Sequence, residues 1–144
     1  MTQPSRLNEG RQWPLTMMQD IDVVDCTSQL NANDPVNPVT GVNLANLVNK
    51  MPSGAIIINA FLLVETAWDQ AATLDIGLGT VGDTTFGATV ALNTVGKHAL
   101  TDGFKNVPGN PVVYNYHAAA TPATVGHAKV VITYVVPGRA TETI

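Results

Sequence analysis

The sequence predicts an all-β, single-domain antiparallel β-sandwich of jelly-roll-like type, with an extended N-terminal arm and at most one short helix. Three observations predict it. Apolar residues alternate with polar ones at period two in segment after segment, glycines and prolines break these segments at short intervals, and helical spacing occurs once. Such a pattern, within 144 residues, fits one domain built as two packed sheets.

Residues 1–14 are polar, with Arg6, Glu9 and Arg11 ahead of Trp13 and Pro14, and lack the apolar core of a secretory signal. They are expected to form an extended arm, and residues 15–144 the sandwich. Within the sandwich, 15–26 is a strand candidate in which Asp20, Asp22 and Asp25 interrupt Met17, Ile21, Val23 and Val24. The Asn- and Pro-rich stretch 31–41 cannot supply a core element. Leu44, Leu47, Val48 and Met51 stand at helical spacing before Pro52-Ser53-Gly54, which predicts the one short helix.

Residues 55–66 differ from the other strands because their apolar run is nearly continuous, broken by Asn59. Both faces of that strand are therefore expected to be covered, the second by a neighbouring subunit, with Ile57, Phe61 and Leu63 as the subunit-contact residues. Leu74 and Ile76 alternate with Thr73 and Asp75. Phe86, Ala88, Val90 and Leu92 alternate with Gly87, Thr89 and Ala91. Val112, Tyr114 and Tyr116 alternate with Val113, Asn115 and His117. The last strand, 128–136, sets Val130, Ile132, Tyr134 and Val136 against Lys129, Val131, Thr133 and Val135.

Charge separates this chain from an ordinary soluble domain. Asp, Glu, Lys and Arg make up 12% of it, about half the usual share of roughly 25%. So few charges give little repulsion between molecules, which suits a surface that neighbours cover. The net charge is −4 and the seven basic residues are scattered, so nucleic acid is not an expected partner. No run approaches the ~18 apolar residues of a membrane span. Cys26 is the sole cysteine, which rules out an intrachain disulfide and a thiolate metal cluster and fits a reducing compartment.

Reactive chemistry is hard to assemble. His98, His117 and His127 form no local metal-binding pattern, and Ser5, Ser28 and Ser53 lie in no nucleophile elbow. Glu65 with Asp69 or Asp75 is the best acid–base pairing on offer, and solvent-facing or turn-bonding roles suit all three better. Asp20, Asp22 and Asp25 lack the spacing of a calcium loop and read as a charged strand edge. The glycine pattern 77–82 leads into no helix and so is no dinucleotide fingerprint. Trp13 is expected to anchor the arm and Trp68 to cap the sandwich. No catalytic residue, cofactor, metal or small-molecule substrate is expected, and the chain is not expected to be an enzyme.

The block Gly54-Ala55-Ile56-Ile57-Ile58-Asn59-Ala60-Phe61-Leu62-Leu63-Val64-Glu65-Thr66-Ala67-Trp68-Asp69, then Thr73-Leu74-Asp75-Ile76-Gly77-Leu78-Gly79-Thr80, resembles small structural proteins of tailed bacteriophages, in particular capsid decoration (cement) proteins. The strand Lys129-Val130-Val131-Ile132-Thr133-Tyr134-Val135 resembles theirs too. The resemblance implies a homotrimer placed over the major capsid protein lattice on the outside of the head, assembled in the host bacterial cytoplasm. On that footing Arg6, Arg11 and Trp13 are the expected capsid contacts. Phage neck or tail subunits, and carbohydrate- or receptor-binding jelly rolls, are the alternatives.

Overall fold

The computed structural model describes residues 14–27, 42–44, 47, 49–80, 82–119 and 121–136. The expected arm contacts Arg6, Arg11 and Trp13 lie outside them. The elements are β1 (Leu15–Asp22), α1 (Val23–Thr27), β2 (Val42–Asn43), β3 (Ala55–Thr66), β4 (Thr73–Leu78), β5 (Gly87–Ala91), β6 (Gly96–Ala99), β7 (Phe104–Asn106), β8 (Val112–His117) and β9 (His127–Val135). None of the described helices is long and apolar enough to cross a membrane.

Two antiparallel sheets result. One runs β1-β9-β3-β6, with β7 also on β3, and the other runs β2-β8-β4-β5. The pairing is nested: β4 with β5, β3 with β6, β2 with β8 and β1 with β9. Successive pairs fall on alternate sheets, which is the wrapping of a jelly-roll-like sandwich. Between the sheets, Ile57, Leu62, Val64, Val130 and Ile132 meet Leu74, Ile76, Tyr114 and Tyr116, all buried in one continuous core. Trp68 is buried in the same core.

The strand β3 does not have two covered faces. Its pairing with β9 shifts register between Ile57 and Asn59, so one extra residue is inserted there. Before the shift, Ala55 and Ile57 face the core; after it, Ala60, Leu62 and Val64 do. Ile57 is therefore fully buried inside its own chain, while Phe61 and Leu63 are half-buried on the opposite face. A subunit contact made of all three assumes unbroken alternation, and the bulge breaks it. Asn59, the polar residue in the run, is exposed at that point.

The doubly buried strands are instead β4 and β8. Five of the six β8 residues are buried, and so are the four central residues of β4. Asp75 and Asn115, directly opposite each other in the β4–β8 register, are 8% and 4% exposed. They lie on the outer side of their sheet, away from Leu74 and Tyr116.

At the expected helix, Leu47 lies in a 3-10 turn, its N–H donating to Leu44 O (3.0 Å), and the one described α-helix lies elsewhere. On either side of that turn the chain bonds to β8: Leu44 N–H donates to Tyr114 O (3.0 Å), and Asn49 and Val112 exchange two backbone bonds (3.2 and 2.7 Å). Leu44 and Met51 are buried there all the same. Spacing alone could not reveal that β8 offers an open edge whose backbone groups recruit this segment. The short helix is α1, where strand β1 stops before Cys26. The Asp25 carboxylate accepts from Asp22 N–H (3.1 Å), a back-bond from the first helical turn to the residue before it. β2, β6 and β7 are too short to show alternation in sequence.

Gly126 makes room for Trp68. A Cβ at Gly126 would stand 2.3 Å from Trp68 Cδ2, inside the indole. Gly126→Ala is expected to cost about 1–3 kcal/mol by overpacking, read as a lower urea midpoint with unchanged slope; an unaltered midpoint would show that the indole is not tightly packed.

Candidate interaction surface

The outer face of the β1-β9-β3-β6 sheet is the surface whose chemistry differs most from a solvated one. Cross-strand register places Met18, Val131, Phe61 and Ala99 side by side on four strands. The next row is Asp20, Lys129, Leu63 and Lys97. Met18 is 60% exposed, and Ile58 at the bulge is 46% exposed. Lys97 Nζ lies 4.7 Å from the Phe61 ring centroid, so an ammonium covers part of the apolar row.

One end of this face is ionic. His127 Nδ1 hydrogen-bonds to Asp22, and its Nε2 lies 3.5 Å from Asp20 and 3.9 Å from Glu65. Lys129 Nζ stands 3.2 Å from Glu65. The cluster joins β1, β9 and the end of β3, and its exposed pairs each contribute little to stability. Its geometry is a latch on the edge strand, with the ion pairs gathered at one end and apolar area left beside it.

The candidate acid–base carboxylates are not brought together: each has its own local partners. Glu65 meets Lys129. Asp69 accepts from Thr124 N–H (2.8 Å) and Thr124 Oγ1, tying the turn after β3 to the loop before β9. Asp75 accepts from Thr89 N–H (2.7 Å) and contacts His117 Nε2 (2.7 Å). The β4–β5 register shifts between Leu74 and Ile76, so Asp75 sits where the ladder is interrupted. Thr89 there adopts φ +46°, rare for a β-branched residue, and the Asp75 carboxylate accepts from its N–H. Sequence reading missed the Asp75–His117 pairing. The available signal was two polar residues on matching faces of strands that only the register reveals as neighbours.

The glycine pattern that begins at Gly77 covers the last two residues of β4 and the start of the turn after it. Gly79 and Gly82 adopt φ of +83° and +87°, and Asp83 Oδ1 accepts from Leu78 N–H (3.0 Å), Thr85 N–H (2.9 Å) and Thr85 Oγ1. Gly77 has no room for a Cβ, which would lie 2.0 Å from Asp83 O. Among the described residues, no three of His, Cys, Asp and Glu gather as a metal ion would require. Cys26 is buried, and burial first, then the charges of Asp25 and Asp22, push its thiol far up, away from nucleophilic use.

Neither the protein-family models nor the curated proteins include a match to this chain. Solved structures do. A chain of the cyanophage Pam1 capsid asymmetric unit superposes with a TM-score of 0.59 at 17% identity, over 90% of this chain and 89% of that one. A chain of the capsid of Ralstonia phage GP4 gives 0.53 at 21% identity, over 89% and 87%. One from the acid-stable capsid of Helicobacter pylori bacteriophage KHP30 gives 0.51 at 15%, over 88% and 94%. At such identities the likeness is one of fold, extending over nearly the whole of each chain.

The two turn carboxylates set an acid limit. Burial alone would push Asp83 up, but the bonds from Thr85 and Leu78 outweigh it and hold the group below its usual 3.8. Asp69 is held down chiefly by Thr124. A carboxyl depressed in the folded state stabilises fully above its unfolded value and loses that contribution as pH falls through the folded one. The melting temperature is thus expected to drop below about pH 4, and Asp83→Asn to flatten that drop; equal acid sensitivity in the variant would show that Asp83 contributes nothing to it.

Proposed function

We propose that this chain is a virion structural protein of a tailed phage, a decoration protein bound as a homotrimer to the outer surface of the major capsid protein lattice, where it stabilises the head. The observation that carries the reading is the fold likeness, over nearly the full length of both partners, to chains in three phage capsid structures. The scarcity of charge supports it, as does the apolar row on the outer sheet face. Cementing is non-enzymatic: it requires neutral and apolar area placed across a joint, repeated by the symmetry of the shell so that modest contacts add through avidity.

In this reading residues 1–14 lie along the capsid, with Arg6 and Arg11 on acidic groups and Trp13 as an apolar anchor. Phe61 and Leu63 belong to the contact between subunits, without Ile57. Assembly takes place in the bacterial cytoplasm and the protein ends on the capsid surface. A sugar-binding role would need an aromatic platform, and Trp68, Tyr114 and Tyr116 are all buried.

The test uses expanded heads lacking the chain. Purified protein is expected to sediment with them to a saturable occupancy and to raise the temperature at which they release DNA; binding only to necks or tails, or none, would overturn the reading. Deleting residues 1–13 is expected to abolish binding with the melting curve unchanged, and full occupancy by the truncated chain would remove the arm from the model of attachment. Phe61→Asp with Leu63→Asp is expected to abolish trimers in light scattering while the circular dichroism stays that of the folded protein.

A further inference from the structure

Strand β1 is an edge strand whose second side meets no other strand among the described residues. In an antiparallel ladder the N–H and C=O of one residue point to the same side, and successive residues alternate. Asp22 N–H bonds to the Asp25 carboxylate (3.1 Å), and Asp20 O accepts from Gln19 Nε2 (2.9 Å). Those backbone groups therefore face the open side, and so do those of Thr16 and Met18. The usable stretch is bounded at both ends, because Pro14 has no N–H and that of Asp22 is taken. Between these stops, β1 carries no lysine, proline or bulge, and the charges that can blunt an edge, Asp20 and Asp22, lie at its C-terminal end, away from Met18.

We propose that this edge pairs with the β1 edge of a second copy, antiparallel about a two-fold axis at Met18, joining two sheets into one. Thr16 then lies opposite Asp20 of the second copy, and Met18 opposite Met18. All three open residues on each strand find a partner, since residues opposite each other at such positions exchange both backbone bonds. Neighbouring registers do worse. A shift of one residue would turn inward side chains outward. A shift of two places Thr16 opposite Asp22, whose N–H is occupied, or Asp20 opposite Pro14, which has none. A shift of four places Asp20 opposite Asp20, two like charges.

The chosen register also extends the outer apolar row. Ala99, Phe61, Val131 and Met18 of one copy run directly into Met18, Val131, Phe61 and Ala99 of the next. Met18, the most exposed residue of that row for its size, gains the cover that it lacks in one chain. The carboxylate-rich end stays clear of the axis, with each Asp20 beside a neutral threonine.

Met18→Cys tests this in the purified chain, without heads, and is therefore independent of the decoration reading. Residues opposite each other at such positions have Cα atoms about 5.5 Å apart, within the roughly 4.4–6.8 Å that a disulfide spans. The native Cys26 is fully buried and does not compete. Under mild oxidation M18C is expected to give a covalent dimer on a denaturing gel at least about ten-fold faster than T16C, whose nearest partner is Asp20 rather than its own copy. Met18→Lys is expected to abolish self-association through this edge with circular dichroism unchanged. Equal cross-linking of M18C and T16C, or no covalent dimer from M18C, would overturn the proposal. So would loss of head binding in M18K where M18C gives no covalent dimer, which would assign the edge to a strand of another protein.

Discussion

The register of β9 on β3 governs the sandwich. β3 is the strand from which the first sheet is built outward, carrying β9 on one side and β6 and β7 on the other. A single extra residue at Ile58–Asn59 changes which side chains face inward. Without it, either Ile57 or the trio Ala60, Leu62 and Val64 would point to solvent, since strand side chains alternate strictly. The same bulge exposes Ile58 and leaves Phe61 and Leu63 on the outer face. One local irregularity thus fixes both the core and the character of the exposed surface.

Tyr114 and Asp75, buried polar groups of the sandwich, are held by short chains of hydrogen bonds. Tyr114 donates its hydroxyl to Asn49 Oδ1 (2.7 Å), and Asn49 Nδ2 donates to Gln19 Oε1 (2.9 Å). That chain runs from β8 in one sheet to β1 in the other, so it ties the sheets at a point where apolar packing alone would not fix their relative position. Asp75, His117 and Thr89 do comparable work within the second sheet. Buried polar groups satisfied in this way specify one arrangement, because any shift leaves a desolvated partner unpaired.

How much of this was legible beforehand follows the range of each interaction. The strands at 73–78, 112–117 and 127–135 declare themselves by alternation, and the sandwich class follows from them. The edge character of 15–22 was legible too, from Asp20 and Asp22, with Asp25 just beyond. What failed were statements about what covers a strand. The apolar run in β3 looks doubly buried, yet the doubly buried strands are β4 and β8, which carry Asp75 and Asn115 in their midst. Burial of the second face depends on what packs over it, and alternation within one strand does not encode that. The segment with helical spacing keeps a 3-10 turn at Leu47, while Leu44 and Asn49 on either side of it bond to the edge of β8.

The nested ladder also implies an order of folding. β4 and β5 are joined by a short turn, so their pairing closes little chain, whereas Leu15 meets Tyr134 only after the whole intervening chain is organised. Loop closure over such distances is slow and gains nothing until the inner ladders exist. The chain should therefore zip from its middle outward, and the first strand should dock last. Until it does, β9 stands as a naked edge. A nascent molecule is then most vulnerable to strand exchange with its siblings along the very seam that completes it.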